Sequence, residues 1–525
     1  MKIRILLIVI AFALMGLSAE AQLKFQKCVG TATGNEWAHC IQNTADGGFI
    51  VAGTTSYNSS FDQVYLVKLN STADTIWTKI YSGTSLDLAN SVIQTSDGGY
   101  MIVGHTLSFG AGNKDMLVIK TNDVGDTLWC KTIGTTDVDV ATSVKQTTDG
   151  GYIITGNTYS SATTFYGAAL IKLDATGTVL WNKIFSGVGS YNGEDVLQTN
   201  DGGYLVVGEA FSNISGINVG IFKTNNAGDT LWTKVYGGVG DEYVYSVTQT
   251  NDQGFIIVGQ TNSYGAGATD VYVLKLDSMG VLEWTKTYGG TQDESGSTIQ
   301  QTADGGYIIC GSTASFGAGS WDVYLIKINA SGIPAWSKTY GGTGLDYGMS
   351  LKITPDGGFI IAGFNSTFGA GARDFYIIKT DANGKSGCFQ DTAVTVFANT
   401  GTSIFHNTTV VDSGLVSSPA PVTISSAGIA TDLCNNVGIK ELLEGTSISV
   451  SPNPFSTQTI LTFQGSVHNP SLFIYNLLGQ EVKSIPVGTN TQVTIQRNQL
   501  PAGMYFYKLI EENKEVLGIG KMMVE

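Results

Sequence analysis

Charged residues, histidines, prolines and long apolar segments are all scarce in this sequence. Charged residues make up 14% of the 525 residues, and there are 4 His and 9 Pro. Beyond the N-terminus no stretch approaches the roughly 18 apolar residues of a membrane-spanning helix. The 28 basic residues are outnumbered by 43 acidic ones, for a net charge of −15. This excess repels nucleic acids and anionic membranes and attracts cations, so we expect no transmembrane span and no nucleic-acid partner.

Familiar catalytic motifs are missing too. The four histidines do not recur at a fixed position, and the patterns HExxH, GxSxG, GxGxxG and the P-loop are absent. Such motifs supply metal ligands, a nucleophile or a phosphate cradle. Paired carboxylates, as in carbohydrate-active enzymes, leave no comparable mark on a sequence. We predict a non-enzymatic protein without a cofactor. The alternatives are a carboxylate-based carbohydrate-active enzyme and a protein that binds Ca²⁺.

The first 21 residues differ from the rest. MKIRILLIVIAFALMGLSAEA places Lys2 and Arg4 before an apolar run and ends on an AxA cleavage site. This is the pattern of a secretory signal peptide. We predict a signal peptide at 1–21, a mature chain from Gln22 and export to the periplasm.

Glycine is abundant, with 67 residues, and many of them lie in a repeated turn. Variants of QTTDGGYIITGNT (146–158) occur seven times, 51 or 52 residues apart. Each repeat reads as four short strands, because Asp-Gly favours a tight hairpin turn and alternating apolar residues favour strands. Such repeats are typical of propellers. We predict an all-β fold: a seven-bladed β-propeller of four-stranded repeats at 22–388, with an N-terminal strand at 23–30 that completes blade seven.

Three residue types recur within the repeats. We interpret the turn aspartates as structural, because the DxDxDG spacing of a calcium loop is absent. A fourth-strand tryptophan is predicted to pack between blades, with a row of sugar-binding aromatics as the alternative. Lysines on the third and fourth strands are expected to snorkel and pair with nearby carboxylates. The turn aspartates are Asp46, Asp97, Asp149, Asp201, Asp252, Asp304 and Asp356.

A second acidic series lies ten residues before the turn aspartates, where the connector between blades enters the first strand. If this strand is innermost, these side chains ring one mouth of the channel. They then either accept backbone N–H bonds at the blade junctions or form a cation-attracting rim that binds Ca²⁺. Tyr191 replaces the acid in unit four, and the other six positions are Glu36, Asp87, Asp139, Glu242, Glu294 and Asp346.

Ligand binding is expected on the face that carries the blade connectors and the loops between second and third strands. The turns on the opposite face are tight, whereas the residues that bind ligands usually lie in loops that vary on a rigid scaffold. Four of these loops share the sequence FGAG or YGAG, and units one, three and four depart from it. We predict ligand contacts in the loops at 158–166 and 210–218.

Because exported proteins often form disulfides, the six cysteines are candidates for such bonds. Cys388 and Cys434 flank a Thr/Ser/Val-rich stretch, and we predict a bond between them. This β segment or linker, at 389–440, is expected to contain strands that pack under the ring. The other four cysteines do not recur between repeats, so we expect buried free thiols.

The last 85 residues, 441–525, read as a small β-sandwich with Pro and Gly punctuation. The segments SPNPF, IYNLLGQEV, LPAGMYFYKL and GKMMVE closely resemble the type A C-terminal sorting domain of the type IX (Por) secretion system. The propeller region is similar to secreted repeat proteins that carry the same tail. The resemblance implies passage through the type IX machinery, cleavage by its sortase, and a product that is secreted or held at the outer cell surface. Its motif residues are Pro452, Asn453, Pro454, Gly479, Pro501, Gly503 and Lys521.

Propellers host many activities, so the fold alone does not assign a function. We predict a secreted or cell-surface propeller that binds a glycan, matrix or protein partner. A structural component of a surface layer is the second hypothesis, and the carboxylate-based enzyme is the third.

Overall fold

The computed structural model describes residues 24–31, 34–161, 164–186, 189–212, 216–368, 372–387, 390–393, 395–399, 403–405, 425–426, 448–463, 470–476, 481–487, 491–497, 500–510 and 516–524. This part of the chain contains 39 β-strands and no helix, so it offers no helix that could span a membrane. The predicted signal peptide lies outside the described residues. The chain divides into two compact units, Met1–Asn436 and Val437–Glu525.

The strands of the first unit follow the repeats. The N-terminal strand and blades one to three comprise β1 (Phe25–Val29), β2 (Glu36–Asn43), β3 (Phe49–Thr55), β4 (Gln63–Leu69), β5 (Thr75–Ser82), β6 (Asp87–Gln94), β7 (Tyr100–Thr106), β8 (Asp115–Thr121), β9 (Thr127–Ile133), β10 (Asp139–Gln146), β11 (Tyr152–Ser160), β12 (Phe165–Leu173) and β13 (Val179–Phe185). Blades four to seven comprise β14 (Asp195–Gln198), β15 (Tyr204–Ser212), β16 (Gly216–Thr224), β17 (Thr230–Gly237), β18 (Glu242–Gln249), β19 (Phe255–Thr261), β20 (Asp270–Leu276), β21 (Leu282–Gly289), β22 (Glu294–Gln301), β23 (Tyr307–Thr313), β24 (Asp322–Ile328), β25 (Pro334–Tyr340), β26 (Asp346–Ile353), β27 (Phe359–Asn365) and β28 (Asp374–Thr380).

These strands form antiparallel sheets in sequence order, such as β10-β11-β12-β13, and the propeller fold predicted from the repeat is confirmed. The described residues contain seven sheets of this kind. In the sheet of β26, β27 and β28, the outer strand is β1, whose Phe25 lies opposite Lys379. The two ends of the ring are therefore joined by backbone hydrogen bonds, which removes an open sheet edge.

The first strand of each blade is innermost, because it contacts the first strands of the neighbouring blades, as β2 does with β6 and β26. The core lies between adjacent sheets. Ile50 and Leu66 of blade one, for example, pack with Ile102 and Ile119 of blade two. Both faces of the middle strands are therefore buried, and they read as continuous apolar runs.

The two glycines of the Asp-Gly-Gly turn are needed for different reasons. Gly150 has a φ of 82° and open space around it, so it serves the backbone conformation. A side chain at Gly151 would overlap the Leu173 carbonyl and lie 2.5 Å from Lys172 Nζ. In the fifth repeat, Gln253 takes the first position at a φ of 68°, while Gly254 keeps the second. The second glycine is thus required by the neighbouring third strand.

That neighbour is the third-strand lysine, which forms an ion pair with the turn aspartate of its own blade. Lys172 lies 3.0 Å from Asp149 and is 3% exposed. The snorkelling expected of these lysines was wrong, because the third strand has a neighbouring strand on each side and is covered by adjacent blades. The same pair occurs in all seven blades, at Lys68–Asp46, Lys120–Asp97, Lys172–Asp149, Lys223–Asp201, Lys275–Asp252, Lys327–Asp304 and Lys379–Asp356.

The segment after the last blade adds strands to the outside of the ring. These are β29 (Gln390–Thr392), β30 (Val396–Asn399), β31 (Ser403–Phe405) and β32 (Ser425–Ser426), which pair with the outer strands of blades six, five, four and one in that order. The expectation of strands packed under the ring was therefore wrong, because the unpaired outer edges offer backbone hydrogen bonds. Cys388 and Cys434, the predicted disulfide, lie outside the described residues. Cys40, Cys130 and Cys310 are buried free thiols, and Cys28 is a half-buried one.

The second unit contains β33 (Ile448–Ser451), β34 (Gln458–Phe463), β35 (Ser471–Tyr475), β36 (Glu481–Pro486), β37 (Gln492–Gln496), β38 (Gly503–Ile510) and β39 (Val516–Val524). They form two sheets, β33-β34-β37 and β36-β35-β38-β39. Leu461 and Ile495 of the first sheet pack against Leu472 and Leu509 of the second. This is the small β-sandwich predicted from the sequence.

The two turn glycines differ in a way that substitution can measure. We expect Gly150→Ala to cost about 1 kcal/mol, because alanine resists a positive φ. Gly151→Ala should cost about 3 kcal/mol or more, because its methyl group displaces a buried ammonium from its carboxylate. Thermal unfolding of both variants tests the difference. Equal losses would contradict the role given to the second glycine.

Candidate functional site

The junction acids predicted from the sequence lie where one blade meets the next, and all six are almost fully buried, at 0 or 1% exposure. Glu294 accepts the N–H of Gly290 at 2.7 Å, the N–H of Ser315 at 3.1 Å and the hydroxyl of Thr313 at 2.7 Å. Asp346 accepts the N–H of Gly342 at 2.8 Å. These bonds fix the connector against the loop after the second strand. The acids thus sit inside the junctions and not on an open rim.

The turn aspartates lie on the opposite face and are saturated by their own blade. The Asp304 carboxylate accepts the Thr302 hydroxyl, the Lys327 ammonium and the Gly306 N–H. The Thr302 bond above all, and then the lysine, lower the pKa of Asp304 to about 2. In the described residues no three His, Cys, Asp or Glu side chains converge as metal ligands.

The fourth-strand tryptophans pack between blades. Trp77 meets Tyr100 of the next blade edge-on, with ring centroids 5.9 Å apart. Its ring also covers Gly125, where an added methyl group would lie 2.9 Å away. Comparable contacts join Trp181 to Tyr204 and Trp232 to Phe255. These tryptophans are not aligned as a surface for sugars.

The channel is lined by a position that does not repeat. Seven residues before each turn aspartate, a half-buried side chain projects from the innermost strand. The turns that follow these strands are nearly the same in all blades, whereas this position carries a different residue in each blade. The seven residues in blade order are His39, Asn90, Thr142, Glu194, Tyr245, Ser297 and Met349.

Blade four places two glutamates side by side at the channel. Glu194 and Glu209 lie on neighbouring strand segments, because the Glu194 N–H donates to Val207 and the Glu209 N–H donates to Asn192. The Asn192 amide donates to Glu209 at 2.8 Å. Burial first, and the Glu209 charge second, raise the pKa of Glu194 to about 8. The pair therefore keeps a proton to a higher pH than an ordinary glutamate does.

Charged groups of other blades reach the same channel. Lys145 of blade three pairs with Asp195 of blade four at 3.0 Å. Burial and the charge of Lys145 lower the pKa of Lys352 of blade seven. These residues come from blades three, four and seven, so the interaction crosses the channel. In the sequence, these three residues could have been found as positions at which the repeats differ from one another.

At the connector face, five side chains from blades six, seven and one form a continuous stack. Trp321 and Tyr347 have ring centroids 5.2 Å apart, and Tyr347 and Phe364 are 4.9 Å apart, with interplanar angles of 20° and 16°. The Arg373 guanidinium lies 5.5 Å from Phe364 and 5.2 Å from Trp37. All five are half-buried. We call this set the aromatic stack.

Beside the aromatic stack is a cavity of about 320 Å³, the mouth cavity, which lies at the connector end of the channel. Its apolar wall includes Trp37, Leu88, Met349 and Phe364, and His39 is among its polar residues. Burial lowers the pKa of His39 to about 4, so this imidazole is neutral at neutral pH. A concave apolar surface with a few polar groups is the usual form of a ligand site.

The loops at 158–166 and 210–218 extend the hairpins of blades three and four. Tyr159 lies opposite Tyr166 and their rings are 5.0 Å apart. Phe165 and Tyr166 are exposed. The structure thus provides an aromatic hairpin in this sector, separate from the aromatic stack.

In the C-terminal unit, the SPNPF segment is fastened to the last strand. Asn453 Oδ1 accepts the Met523 N–H at 2.8 Å, and the Asn453 amide donates to the Lys521 carbonyl at 3.3 Å. Phe455, 2% exposed, inserts into the sandwich core. Pro501 accepts the Tyr505 hydroxyl at 2.9 Å. Pro452, Pro454 and Gly503 lie on this side of the fold, whereas Gly479 is outside the described residues.

The family model for the secretion system C-terminal sorting domain matches residues 449–525. These residues are a type IX secretion sorting domain. The protein is therefore exported through that pathway to the cell surface or beyond, and the type IX machinery is its partner in export. The sorting domain accounts for the second compact unit and leaves the propeller as the functional cargo.

Three solved structures resemble this chain at a distance. A fungal alcohol oxidase of the AA5 family in complex with copper is 10% identical over 96% of this chain and 100% of its own, with a TM-score of 0.38. Drosophila Semaphorin 2a is 8% identical over 96% and 99%, with a TM-score of 0.40. An endo-1,5-alpha-L-arabinanase from Thermotoga petrophila is 12% identical over 69% and 100%, with a TM-score of 0.25. Values this low carry no information on activity. No curated protein matches the chain.

The glutamate pair makes stability depend on pH. Because the folded-state pKa of Glu194 is raised from 4.5 to about 8, its contribution is fully present below pH 4.5 and is lost as the pH rises towards 8. We expect Glu194→Gln to lie close to the wild type near pH 5 and to exceed it by several kcal/mol near pH 9, since each unit of the pKa shift is worth about 1.4 kcal/mol. Thermal unfolding across this range measures the gap. The exposed Asp123→Asn is the control, and parallel curves for wild type and Glu194→Gln would refute the assignment.

The sorting domain offers a second test. Asn453→Ala removes both side-chain bonds to the last strand, so we expect a loss of about 1–2 kcal/mol and less exported protein. Export is measured by immunoblotting of the culture medium and cell surface. Gln458→Ala, which removes a bond between exposed side chains, should export normally.

Proposed function

We propose that the propeller binds a glycan at the mouth cavity, with the aromatic stack as part of the binding surface. The observation that carries this proposal is the cavity of about 320 Å³ walled by Trp37, Leu88, Met349 and Phe364 at the end of the channel. Its size suits one or two sugar rings, since small-molecule pockets are typically about 300–1,000 Å³. A pyranose ring presents an apolar C–H face that can lie against an aromatic ring.

The polar groups of the mouth cavity suit a neutral ligand. The neutral His39 imidazole can donate one hydrogen bond and accept another, and Thr54 and Asp62 are also among the lining residues. Burial raises the pKa of Asp62. Sugar hydroxyls match such groups because each can both donate and accept. Export to the cell surface or beyond places this site among extracellular polysaccharides.

The same channel supports a second function of a different class. Burial raises the pKa of both Glu194 and Glu209, and a carboxyl group that keeps its proton beside a second carboxylate is what a glycosidase uses. If the ring cleaves glycans, these two residues are the catalytic candidates. A structural role in a surface layer remains the alternative without a specific ligand.

The binding proposal is tested with the mature chain on a glycan array, followed by affinity measurements on any glycan bound. We expect Trp37→Ala to weaken binding at least about tenfold, the equivalent of about 1.4 kcal/mol, because it removes one wall of the cavity. Phe165→Ala combined with Tyr166→Ala is the matched control, since it removes exposed aromatics from the other sector. Thermal unfolding verifies that both variants are folded.

Three outcomes separate the hypotheses. Loss of binding in the control alone would move the site to the hairpin of blade three. Binding accompanied by new reducing ends that disappear in Glu194→Gln would establish the enzyme. Absence of any glycan binding, with self-assembly of the mature chain, would favour the structural role.

A further inference from the structure

A second series of acids, which the sequence did not reveal as a set, faces the junction acids. Its members start the third strands, five residues before the buried lysines, and are 0 or 1% exposed. Each belongs to the blade that precedes the junction. Four junctions therefore contain two carboxylates, in the pairs Asp115 with Asp139, Asp270 with Glu294, Asp322 with Asp346, and Asp374 with Glu36.

The two carboxylates of a pair meet over a connector glycine. A side chain at Gly134 would overlap Asp115 Oδ1 and lie 3.0 Å from Asp139 Oδ2. At Gly341 it would overlap Asp322 Oδ1 and lie 2.7 Å from Asp346 Oδ2. The absence of a side chain thus lets two oxygens from different blades share one small space.

Two of these pairs contain a carboxylate oxygen that receives no hydrogen bond from the described residues. Asp115 Oδ1 and Asp346 Oδ1 are buried and accept no hydrogen bond from them. No described lysine or arginine forms an ion pair with either residue. Buried carboxylates that lie beside one another without a cation are unfavourable, so these pairs call for an added positive species.

Junctions with two acids can be compared with a junction of the same ring that has one acid. At the junction of blades four and five the second acid is replaced by an amide, as Asn218 lies by Glu242. The Asn218 amide donates to the Gly216 carbonyl at 3.2 Å and carries no charge. Amide and acid therefore fit the same position, and the acid adds a negative charge with no structural need for it.

The junction of blades six and seven also has room for a ligand. A cavity of about 300 Å³ is lined by Asp322, Thr339, Gly341, Gln390 and Asp391. The last two belong to β29, the first strand outside the ring. Carboxylate, amide, hydroxyl and backbone oxygens are the donors Ca²⁺ takes, six to eight at a time and often with water.

We propose that two of the carboxylate pairs, Asp115 with Asp139 and Asp322 with Asp346, are divalent cation sites of the calcium type, of which the second is the better provided. The ion bridges two blades, and at blades six and seven it also ties β29 to the ring. Two carboxylates per site, in place of a full cage, correspond to the weak affinity of extracellular calcium modules, with Kd values of about 10⁻⁴–10⁻³ M. This inference is independent of glycan binding.

The test compares wild type with Asp322→Asn, which recreates the amide and acid arrangement of Asn218 and Glu242. In chelator, the variant should unfold at a higher temperature than wild type, because the repulsion is gone. In about 10 mM CaCl₂, roughly ten times the weakest such Kd, the order should reverse, because the variant has lost an ion. Calorimetric titration of the mature chain with CaCl₂ should show one binding equivalent fewer in the variant.

Glu242→Gln is the matched control, since it changes an equally buried junction acid that has the amide of Asn218 and not an acid beside it. It should leave the calcium-induced shift and the stoichiometry unchanged. Asp115→Asn repeats the test at a second junction. The proposal is overturned if wild type shows neither heat nor a thermal shift with CaCl₂. It is also overturned if both Asn variants exceed wild type in chelator and in calcium alike, which would mean that a shared proton neutralises the pairs.

Discussion

Seven lysine ammonium groups are buried in this ring, and each is neutralised by the turn aspartate of its own blade. Burying an unpaired ammonium costs several kcal/mol, so the turn, the third strand and the second turn glycine depend on one another. The Lys172 ammonium also donates to the Leu173 carbonyl at 3.0 Å. Each pair thus ties the hairpin of strands one and two to strand three. The repeated residues are therefore explained by structure, and function must be sought where the repeats differ.

The fold was predictable because its signals are local. Asp-Gly turns at a fixed spacing and alternating apolar strands indicate a four-stranded unit, and closure of the ring follows from the incomplete last repeat. Burial of the lysines was not predictable, because the sequence does not say how adjacent blades cover the third strand. The outer strands β29 to β32 were misplaced for a related reason: their partners are edges that exist after the ring has formed.

The candidate sites show the same limit more strongly. The acids before the first strand were visible as a series, but their partners at Asp115 and Asp322 come from the preceding blade. That pairing depends on the register between blades. The aromatic stack gathers Trp321, Tyr347 and Trp37 from three blades, so no local motif marks it. Glu194 was detectable as the one acid at a position that differs in every blade, whereas its closeness to Glu209 needed the geometry of blade four.

Export and ring stability are linked through charge. The chain carries 15 more acidic than basic residues, and part of that excess is buried where blades meet. Buried carboxylate pairs are tolerable only where protons or cations are available to neutralise them. A protein delivered to the cell surface or beyond meets calcium at higher concentrations than the cell interior provides. Calcium then stabilises the junctions in the place where the propeller functions. The mouth cavity has apolar walls and a neutral imidazole, so it does not depend on a bound cation.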